Sequence, residues 1–327
     1  MSTNTVLPHV SHTILTGDVL TILPTLQSNS HHGCLTDPPY ELGFMGKSWD
    51  KSGIAFNPTL WAEVLRILSP GSYLLTFGGT RTYHRMTCAI EDAGFEIRDC
   101  LMWLYGTGFP KSKACLKPSY EPIVLARKPS PKVLPLNIDG CRIGTDQTSG
   151  LIGTPTFSGG WKGSPSNGYS GGLDSAGVPR PVAGRWPANT ILDESVAAEL
   201  GDKSRYFYCA KASRKERDAG CSEIAPKAGG STAKGFTQDV ANGTDRNKEV
   251  HNNHPTVKPL ALCEHLAKLI LPNPPPDTQQ RLLVPFSGSG SEMIGAMQAG
   301  WPDITGIELS SEYIAIAEAR LKYWGNE

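Results

Sequence analysis

The sequence lacks features that would place it among metal-ribbon, disulfide-rich or membrane proteins. Its eight cysteines are scattered without a C-x-x-C pair, which gives no sign of a zinc ribbon or a disulfide framework and indicates reduced thiols. No apolar run approaches the roughly 20 residues that span a bilayer. The amino terminus is polar, so we expect no signal peptide and no membrane anchor. These absences predict an intracellular, cytoplasmic protein.

A net charge is also missing, because 31 Lys and Arg balance 31 Asp and Glu. The charge is nevertheless uneven: residues 111–258 contain 21 basic against 14 acidic residues, and the remainder contains 10 against 17. A basic middle segment suggests contact with a polyanion, although an ordinary solvated surface has the same composition.

Short apolar segments alternate with helical patterns at both ends of the 327-residue chain. This rhythm predicts an α/β sheet. Between about residues 129 and 253 the rhythm breaks down into Gly-, Ser-, Pro- and Asn-rich sequence with only short apolar pieces. A loop-rich portion is also expected from the high content of glycine (35) and proline (26).

The candidate catalytic centre is Asp37-Pro38-Pro39-Tyr40, which follows a predicted strand. The two prolines fix two φ angles and hold the residues before them extended, so the turn is stiff. Because Pro38 and Pro39 have no N–H donor, carbonyl groups here are free to accept hydrogen bonds from a ligand. A carboxylate, a free carbonyl and a Tyr ring suit a planar guest with an NH2 group, such as a nucleobase. An ordinary Pro-Pro turn is the alternative.

A candidate cofactor site lies near the carboxyl end, where a Gly-rich turn at 285–290 joins a strand to a helix. Such a turn lets backbone approach a ligand, and an acidic residue about 20 positions later, here Glu308, can accept both ribose hydroxyls. The dinucleotide fingerprint fails because its third glycine would fall at Met293, and no phosphate-binding Lys follows the turn. A nucleoside without phosphates fits better, and S-adenosylmethionine is the obvious one. A turn needed only for close packing is the alternative.

Asp18 also follows a predicted strand, at the sheet edge where ligands of α/β proteins bind. It is therefore a ligand candidate. Capping of the next helix explains it equally well.

Basic and aromatic residues alternate in the loop-rich portion, as at 203–211. Nucleic-acid surfaces combine cations that neutralise phosphates with rings on which bases stack. A solvated surface insertion is the alternative. With one lysine from the loop after the catalytic motif, the candidate nucleic-acid contacts are Lys47, Arg185, Lys203, Arg205, Lys211 and Arg214.

Together these segments resemble the amino-methylating DNA methyltransferases of the permuted β type, in which the catalytic motif precedes the cofactor motif. Three motifs occur in that family's order: Asp37-Pro38-Pro39-Tyr40, His-Pro-Thr-Val-Lys-Pro at 254–259, and Pro-Phe-Ser-Gly-Ser-Gly at 285–290. The stretches 44–50 and 185–189 are further similar to phage and bacterial members.

The resemblance covers about residues 12–128 and 250–323. It implies a Rossmann-like, S-adenosylmethionine-dependent methyltransferase sheet with a loop-rich inserted target-recognition region. The corresponding segments are a catalytic half at 1–128, the inserted region at 129–253 and a cofactor-binding half at 254–327.

The same resemblance assigns roles to the catalytic motif. Asp37 would hold one hydrogen of the target amino group, the Pro38 carbonyl would accept the other, and Tyr40 would stack on a flipped base. This chemistry requires the catalytic motif and the Gly-rich turn to face each other across one sheet edge.

The cofactor contacts implied by the resemblance include Glu308 at the ribose, and Gly288 and Gly290 beneath the methionine part. Asp18 would lie near the adenine, and Thr256 and Lys258 near the carboxylate. The complete set is Asp18, Asp37, Thr256, Lys258, Pro285, Phe286, Gly288, Ser289, Gly290 and Glu308.

One position departs from the family pattern. Where this chain has Val284, directly before the Gly-rich turn, the family usually has an acidic residue. The carboxylate that would hold the cofactor ammonium is therefore missing, and Asp37 or a backbone carbonyl would have to replace it.

The expected reaction is methyl transfer to an exocyclic amino group in double-stranded DNA. Adenine N6 is favoured because Asp, as at Asp37, is commoner at the first motif position of adenine enzymes and Ser in cytosine enzymes. Cytosine N4 is the alternative, and RNA, a protein glutamine or cofactor binding without turnover are further ones. Cytosine C5 chemistry needs a Cys nucleophile, and no cysteine here follows a proline.

The resemblance implies DNA as partner and a cytoplasmic, nucleoid-associated location. It leaves open whether the chain forms a homodimer and whether a cognate restriction endonuclease exists.

Overall fold

The computed structural model describes residues 10–43, 48–108, 110, 113–144, 184–210, 216–228, 249–273 and 279–325. The main sheet in these ranges contains nine strands: β1 (Ser11–Thr16), β2 (His31–Thr36), β3 (Leu68–Phe77), β4 (Glu96–Leu104), β5 (Tyr120–Arg127), β6 (Thr190–Asp193), β7 (Tyr208–Ala210), β10 (Arg281–Pro285) and β11 (Asp303–Glu308). A separate ribbon pairs β8 (Lys227–Ala228) with β9 (Glu249–Val250).

Seven α-helices accompany these strands in the same ranges. They are α1 (Val19–Ile22), α2 (Pro58–Ile67), α3 (Tyr83–Asp92), α4 (Glu194–Leu200), α5 (Leu260–Leu269), α6 (Ser291–Ala299) and α7 (Ser311–Trp324). Across the described ranges, none of the helices combines the length and apolarity needed to cross a membrane.

The strand order is β1-β11-β10-β2-β3-β5-β4-β6-β7. All neighbours are parallel except that β5 runs antiparallel to β3 and β4. The carboxyl ends of eight strands therefore lie along one edge, where they are joined by the amino end of β5. We call this the carboxyl edge.

Alternate residues of the central strands pack against helices on opposite faces of the sheet. On one face, Leu35, Leu75 and Leu282 belong to the same cluster as residues of α5 and α6. On the other face, Cys34, Leu74 and Leu283 pack with residues of α2 and α3. Continuous apolar strands are expected where both faces are covered, so the α/β fold class is confirmed.

A glycine lets β2 lie close to the layer of helices. A Cβ atom on Gly33 would come within 2.8 Å of the Trp301 ring and 3.2 Å of Leu282. This close approach seats β2 beside β10, with Leu282 and Leu283 opposite Gly33 and Cys34. The pairing brings the two ends of the chain together.

The loop-rich portion contributes to the main sheet. Strands β6 and β7 lie within residues 129–253, and they extend the sheet beyond β4. The division of the chain into 1–128, 129–253 and 254–327 stays a prediction.

Candidate active site

The catalytic motif and the Gly-rich turn lie side by side at the carboxyl edge. Strand β2 ends at Thr36, directly before Asp37, and the adjacent parallel strand β10 ends at Pro285. The Thr36 hydroxyl donates a hydrogen bond of 2.5 Å to the Pro285 carbonyl, which joins positions 249 residues apart. Chemistry at Asp37 and a ligand on the Gly-rich turn would therefore share one site.

Asp37 takes part in a buried ion pair. Lys258 Nζ donates to Asp37 Oδ2 over 2.6 Å and lies 3.5 Å from Glu121 Oε2. The Asp37 side chain is only 10% exposed and that of Lys258 only 5%. The other carboxylate oxygen, Oδ1, is buried and accepts no hydrogen bond from the described residues. It is an acceptor that a ligand could use.

Hydrogen bonds hold both the side chain and the backbone of Tyr40. Its hydroxyl donates to Glu121 Oε2 over 2.7 Å, and its backbone carbonyl accepts from Thr82 Oγ1 over 2.7 Å. Lys258 Nζ lies 5.3 Å from the ring centre, within the range of a cation–π interaction. The ring orientation is thus determined by groups from three other parts of the chain.

Glu121 was not found by sequence reasoning. It is the second residue of β5, and only the antiparallel direction of β5 brings it to the carboxyl edge. The apolar run at Ile123 indicates a strand but not its direction, so the sequence has no signal for this residue.

Burial controls the protonation of this cluster. Burial raises the pKa of Asp37, and the Lys258 ammonium opposes the shift. Burial alone would lower the pKa of Lys258, but the carboxylates of Asp37 and Glu121 outweigh it and raise that pKa. Burial, together with the same two carboxylates, raises the pKa of Tyr40 far above its ordinary value. Tyr40 therefore remains a hydrogen-bond donor, and a more basic Asp37 is a stronger acceptor.

The Gly-rich turn requires glycine at two positions. Gly288 has φ +51° and Gly290 has φ +79°, a region that L side chains rarely adopt. A Cβ atom on Gly288 would lie 2.8 Å from His254 Nε2, and one on Gly290 would lie 3.2 Å from the Ala317 Cβ. Since His254 begins the second motif, all three motifs meet at this edge.

Pro285 and Phe286 lead into the turn. Pro285 is the last residue of β10, and Phe286 adopts φ +58° despite its side chain. Such a backbone conformation is uncommon outside glycine and is found where surrounding structure enforces it.

A buried arginine supports the turn from α7. Arg320 is fully buried, and its Nη1 donates to the Ser289 carbonyl, to Ser289 Oγ and to Ser291 Oγ. Sequence reasoning missed it, although there was a signal: Arg320 follows Ile316 and Ala317 at helical spacing on the buried face of α7. Ser289 is consequently a residue that shapes the turn.

Glu308 lies at the end of β11, beside the turn. Its Oε2 accepts from the Gly288 N–H over 2.9 Å and its Oε1 from the Ser310 N–H over 2.8 Å. Burial raises its pKa, and the hydrogen bonds from Ser310 and Gly288 oppose the shift. Each carboxylate oxygen has further acceptor capacity, so the pair of ribose hydroxyls is a fitting ligand.

Two other predicted cofactor residues have looser surroundings. The Asp18 carboxylate accepts from the Leu20 N–H over 2.8 Å and caps α1, which is the structural role that the sequence left open. Asp18 still follows β1, next to the end of β11. Thr256 is exposed, and its N–H donates to His254 Nδ1 over 3.4 Å.

Two of the predicted DNA contacts converge on one exposed ring. The guanidinium carbons of Arg185 and Arg205 lie 5.1 Å and 5.2 Å from the centre of the Tyr206 ring, which is 48% exposed. Lys203 is exposed on the same 3-10 turn as Arg205. The other predicted contacts, Lys47, Lys211 and Arg214, lie outside the described residues.

The Arg185–Arg205–Tyr206 cluster is distant from Asp37. It precedes the short edge strands β6 and β7, so it lies toward their amino ends. Strand β7 is the fifth neighbour from β2 in the sheet, about 24 Å away at the usual strand spacing. The structure therefore does not bring these residues next to the catalytic motif.

Three features fit a nucleoside cofactor and a polar planar substrate: the turn with two glycines at positive φ, the adjacent Glu308 carboxylate, and the buried Asp37 Oδ1, which accepts no hydrogen bond from any described residue. On a mostly parallel sheet, these features define a Rossmann-like methyltransferase that uses S-adenosylmethionine. The chain belongs to the DNA methylase family of N6- and N4-methyltransferases, whose model matches residues 31–319. The resemblance seen in the sequence is thereby confirmed, as are the cofactor, the enzyme class and DNA as the substrate.

Solved structures agree on the fold. A protein of Thermus thermophilus, TTHA0409, described as a candidate DNA modification methylase, is 16% identical with a TM-score of 0.50, and the alignment covers 95% of each chain. The PvuII DNA methyltransferase, which is specific for cytosine N4, is 14% identical with a TM-score of 0.53, over 96% of this chain and 88% of that one. No curated protein sequence matches the chain.

Proposed function

We propose that this enzyme methylates adenine N6 in double-stranded DNA. The observation that carries the proposal is the buried Oδ1 of Asp37 at the carboxyl edge, which has no hydrogen-bond donor among the described residues. Asp at this motif position is commoner in adenine enzymes of the family. Cytosine N4 remains the second candidate because its amino group has the same amidine-like edge.

The chain's own groups would activate the amino nitrogen. Its lone pair is delocalised into the ring, so the free amine is a poor nucleophile. Hydrogen bonds from its two hydrogens to Asp37 and to the Pro38 carbonyl would favour a pyramidal nitrogen with a directed lone pair. When bound, S-adenosylmethionine supplies an electrophilic methyl group on a positively charged sulfur.

The target base would have to leave the duplex, because its amino group is inaccessible within the stack. Tyr40 is the surface on which we expect it to stack, since the hydrogen bond from its hydroxyl to Glu121 orients the ring and Thr82 donates to its backbone carbonyl. Pro39 stiffens the turn that carries this ring. The unstacking cost of a few kcal/mol would be offset by these contacts.

Cofactor contacts are proposed for the residues around the Gly-rich turn. Glu308 would accept the ribose hydroxyls, and Gly288 and Gly290 would pass under the methionine part. Asp18 would lie near the adenine while it caps α1. Lys258, which forms an ion pair with Asp37, would lie near the cofactor carboxylate.

DNA would approach along the carboxyl edge. Three exposed residues between β4 and β5 lie at this edge: Lys113, Lys117 and Leu116, of which Leu116 is 93% exposed. We propose that the duplex also contacts the Arg185–Arg205–Tyr206 cluster farther along the sheet. The cluster precedes β6 and β7, and of these short strands β6 lies beside the last residues of β4, near the carboxyl edge, and β7 lies beside β6. Binding to DNA would place the enzyme at the nucleoid.

The target base is tested by expressing the chain with unmethylated DNA and identifying modified nucleosides in the hydrolysate by mass spectrometry. We expect N6-methyladenine, and N4-methylcytosine would establish the second candidate instead.

Asp37→Asn should lower the transfer rate by at least about a hundredfold, because removal of one preorganised charge-stabilising group has that order of effect. Calorimetric binding of S-adenosylmethionine should change little, and a fully active variant would remove Asp37 from the catalytic centre.

The DNA surface is tested with three double variants of equal charge change: Lys113→Glu/Lys117→Glu, Lys203→Glu/Arg205→Glu, and the control Lys132→Glu/Lys322→Glu. Each lost phosphate contact should reduce the slope of log K against log salt by about 0.9. We expect the first two variants to flatten the slope and the control to leave it unchanged. If Lys203→Glu/Arg205→Glu has the same salt dependence as the control, the Arg185–Arg205–Tyr206 cluster does not contact DNA.

A further inference from the structure

A carboxylate is buried next to the Gly-rich turn. Glu292 lies in the first turn of α6, two residues after Gly290, and is only 5% exposed. In the parts of the chain that the structure describes, no Lys or Arg forms an ion pair with it. The remaining buried side chains of α6 are mostly small or apolar. An acidic residue at a helix N-terminus is favourable, but exposure would serve that purpose without the cost of burial.

The cations near Glu292 are already engaged. Lys258 from the segment before α5 donates to Asp37 and lies near Glu121. Arg320 from α7 donates to Ser289 and Ser291. The interior of the site thus combines the carboxylates of Asp37, Glu121 and Glu292 with two cations, of which Lys258 donates to Asp37 and Arg320 donates to serines. A further cation would complement it.

The pKa of Glu292 reflects this surplus of negative charge. Burial raises it to about 7, and the Asp37 carboxylate adds to the shift. Lys258 and Arg320 oppose it. The buried Cys263 thiol of α5 also faces this carboxylate. A cationic ligand beside Glu292 would favour its ionised form.

The cofactor brings such a cation to this place. The methionine part of S-adenosylmethionine ends in an α-ammonium group, and the proposed path of that part runs over Gly288 and Gly290. Val284, the residue that precedes Pro285 in β10, is fully buried and apolar. Its side chain cannot accept a hydrogen bond from the ammonium.

We propose that Glu292 binds the α-ammonium group of S-adenosylmethionine. It would do so from the first turn of α6, in place of a carboxylate at position 284. Glu292 is then a cofactor-binding residue. It lies eight positions after Val284, where the family usually has its acidic residue.

The test compares three adenosine ligands by calorimetry on the full chain. S-adenosylmethionine and S-adenosylhomocysteine both have the ammonium group, whereas methylthioadenosine lacks the whole amino-acid end. Glu292→Gln should weaken the first two by roughly tenfold or more, which is the order expected for a hydrogen bond to a charged group. Methylthioadenosine should bind as it does to the unmodified enzyme. The control Glu318→Gln, which removes an exposed carboxylate of α7, should leave all three unchanged.

The dependence on pH provides a second measurement. Between pH 5.5 and 7.5, the unmodified enzyme should bind S-adenosylhomocysteine more tightly as pH rises, because Glu292 ionises in that range. In Glu292→Gln the affinity should depend less on pH. Any dependence that remains would come from the other titratable groups that face this position, which are Asp37, Lys258, Cys263 and Arg320. The variant should fold, because the substitution removes a buried charge that has no ion pair among the described residues. Glu292→Met, which has a side chain of similar length and no charge, is a second variant for the same measurements.

Three results would overturn the proposal. Unchanged affinity for both ammonium-containing ligands in Glu292→Gln and Glu292→Met would exclude the contact. An equal loss for methylthioadenosine would mean that Glu292 only maintains the shape of the site. A loss confined to S-adenosylmethionine would assign Glu292 to the sulfonium group instead.

Discussion

The side chains around Asp37 form a small network in which every member constrains another. Lys258 pairs with Asp37, and Glu121 accepts from Tyr40 while lying 3.5 Å from Lys258. Removal of one partner from a buried pair typically costs roughly 3–5 kcal/mol, because the other charge is left uncompensated. The network therefore keeps both the acceptor and the stacking ring in place before any ligand arrives.

Tyr40→Phe tests the contribution of the Glu121 hydrogen bond. The substitution keeps the ring but removes a bond to a charged acceptor, worth about 1.5–3 kcal/mol. We expect kcat to fall roughly tenfold and Tyr40→Ala to be far less active, since it also loses the stacking surface. Single-turnover methylation of a DNA duplex measures both. Tyr323→Phe in the last turn of α7 is the control, and an unimpaired Tyr40→Phe would show that the hydroxyl has no positioning role.

At the scale of elements, the Gly-rich turn depends on what surrounds it. Strand β10 leads into it, α6 continues from it, and α7 contributes Arg320 and Ala317 against it. His254, from the segment before α5, packs on Gly288. Four parts of the chain thus determine one turn, which presents its backbone to the cofactor.

Gly290→Ala should damage both stability and cofactor binding. Its φ of +79° and the 3.2 Å approach to Ala317 are both unfavourable for a Cβ atom, and the conformation alone costs about 1–2 kcal/mol. Gly53 is a matched control because it has φ +75° with nothing within 4 Å of an added Cβ. Denaturant unfolding should detect a loss in both variants, whereas calorimetry should detect weaker S-adenosylmethionine binding only in Gly290→Ala. Equal binding by the two variants would contradict the role assigned to the turn.

At the scale of the whole molecule, buried histidines connect parts of the fold that are distant in sequence. His31 of β2 contacts Ser30 Oγ and, in β11, Thr305 Oγ1. His265 of α5 stacks on Tyr208 of β7 with ring centres 3.8 Å apart. Burial lowers the pKa of each to about 4, with Arg281 adding to the shift at His31 and Lys268 at His265.

Acidification should therefore destabilise the fold through these histidines. Their unfolded pKa is about 6.5, so the unfolded chain binds more protons between pH 6.5 and 4, and the free energy of unfolding falls as pH falls through that window. Each histidine contributes at most roughly 3 kcal/mol to this loss. Carboxyl groups with raised pKa act in the opposite direction, so the difference between variants is the informative quantity.

The measurement is denaturant unfolding of His31→Gln and of the unmodified chain at pH 7.5, 6 and 5. We expect the variant to lose less stability on acidification, and His12→Gln, at an exposed position of β1, to follow the unmodified chain. Identical pH dependence in His31→Gln and the unmodified chain would mean that His31 is not buried in its neutral form.

The sequence by itself determined the fold class, the order of the three motifs and the identity of the cofactor. These inferences depend on local causes: two prolines stiffen the turn after Thr36, glycines permit positive φ at 288 and 290, and continuous apolar runs mark strands that are covered on both faces. None of them requires knowledge of which distant segments meet.

Only the tertiary structure decided which side chains complete the site. The direction of β5 brings Glu121 to Tyr40, and the packing of α5 and α6 brings Lys258, across 221 positions of sequence, onto Asp37. It also buried Glu292 away from any ion pair with the described residues and set the Arg185–Arg205–Tyr206 cluster far along the sheet. The physical reason is that strand direction and the burial of a charge are set by long-range packing, which no local pattern of residues encodes.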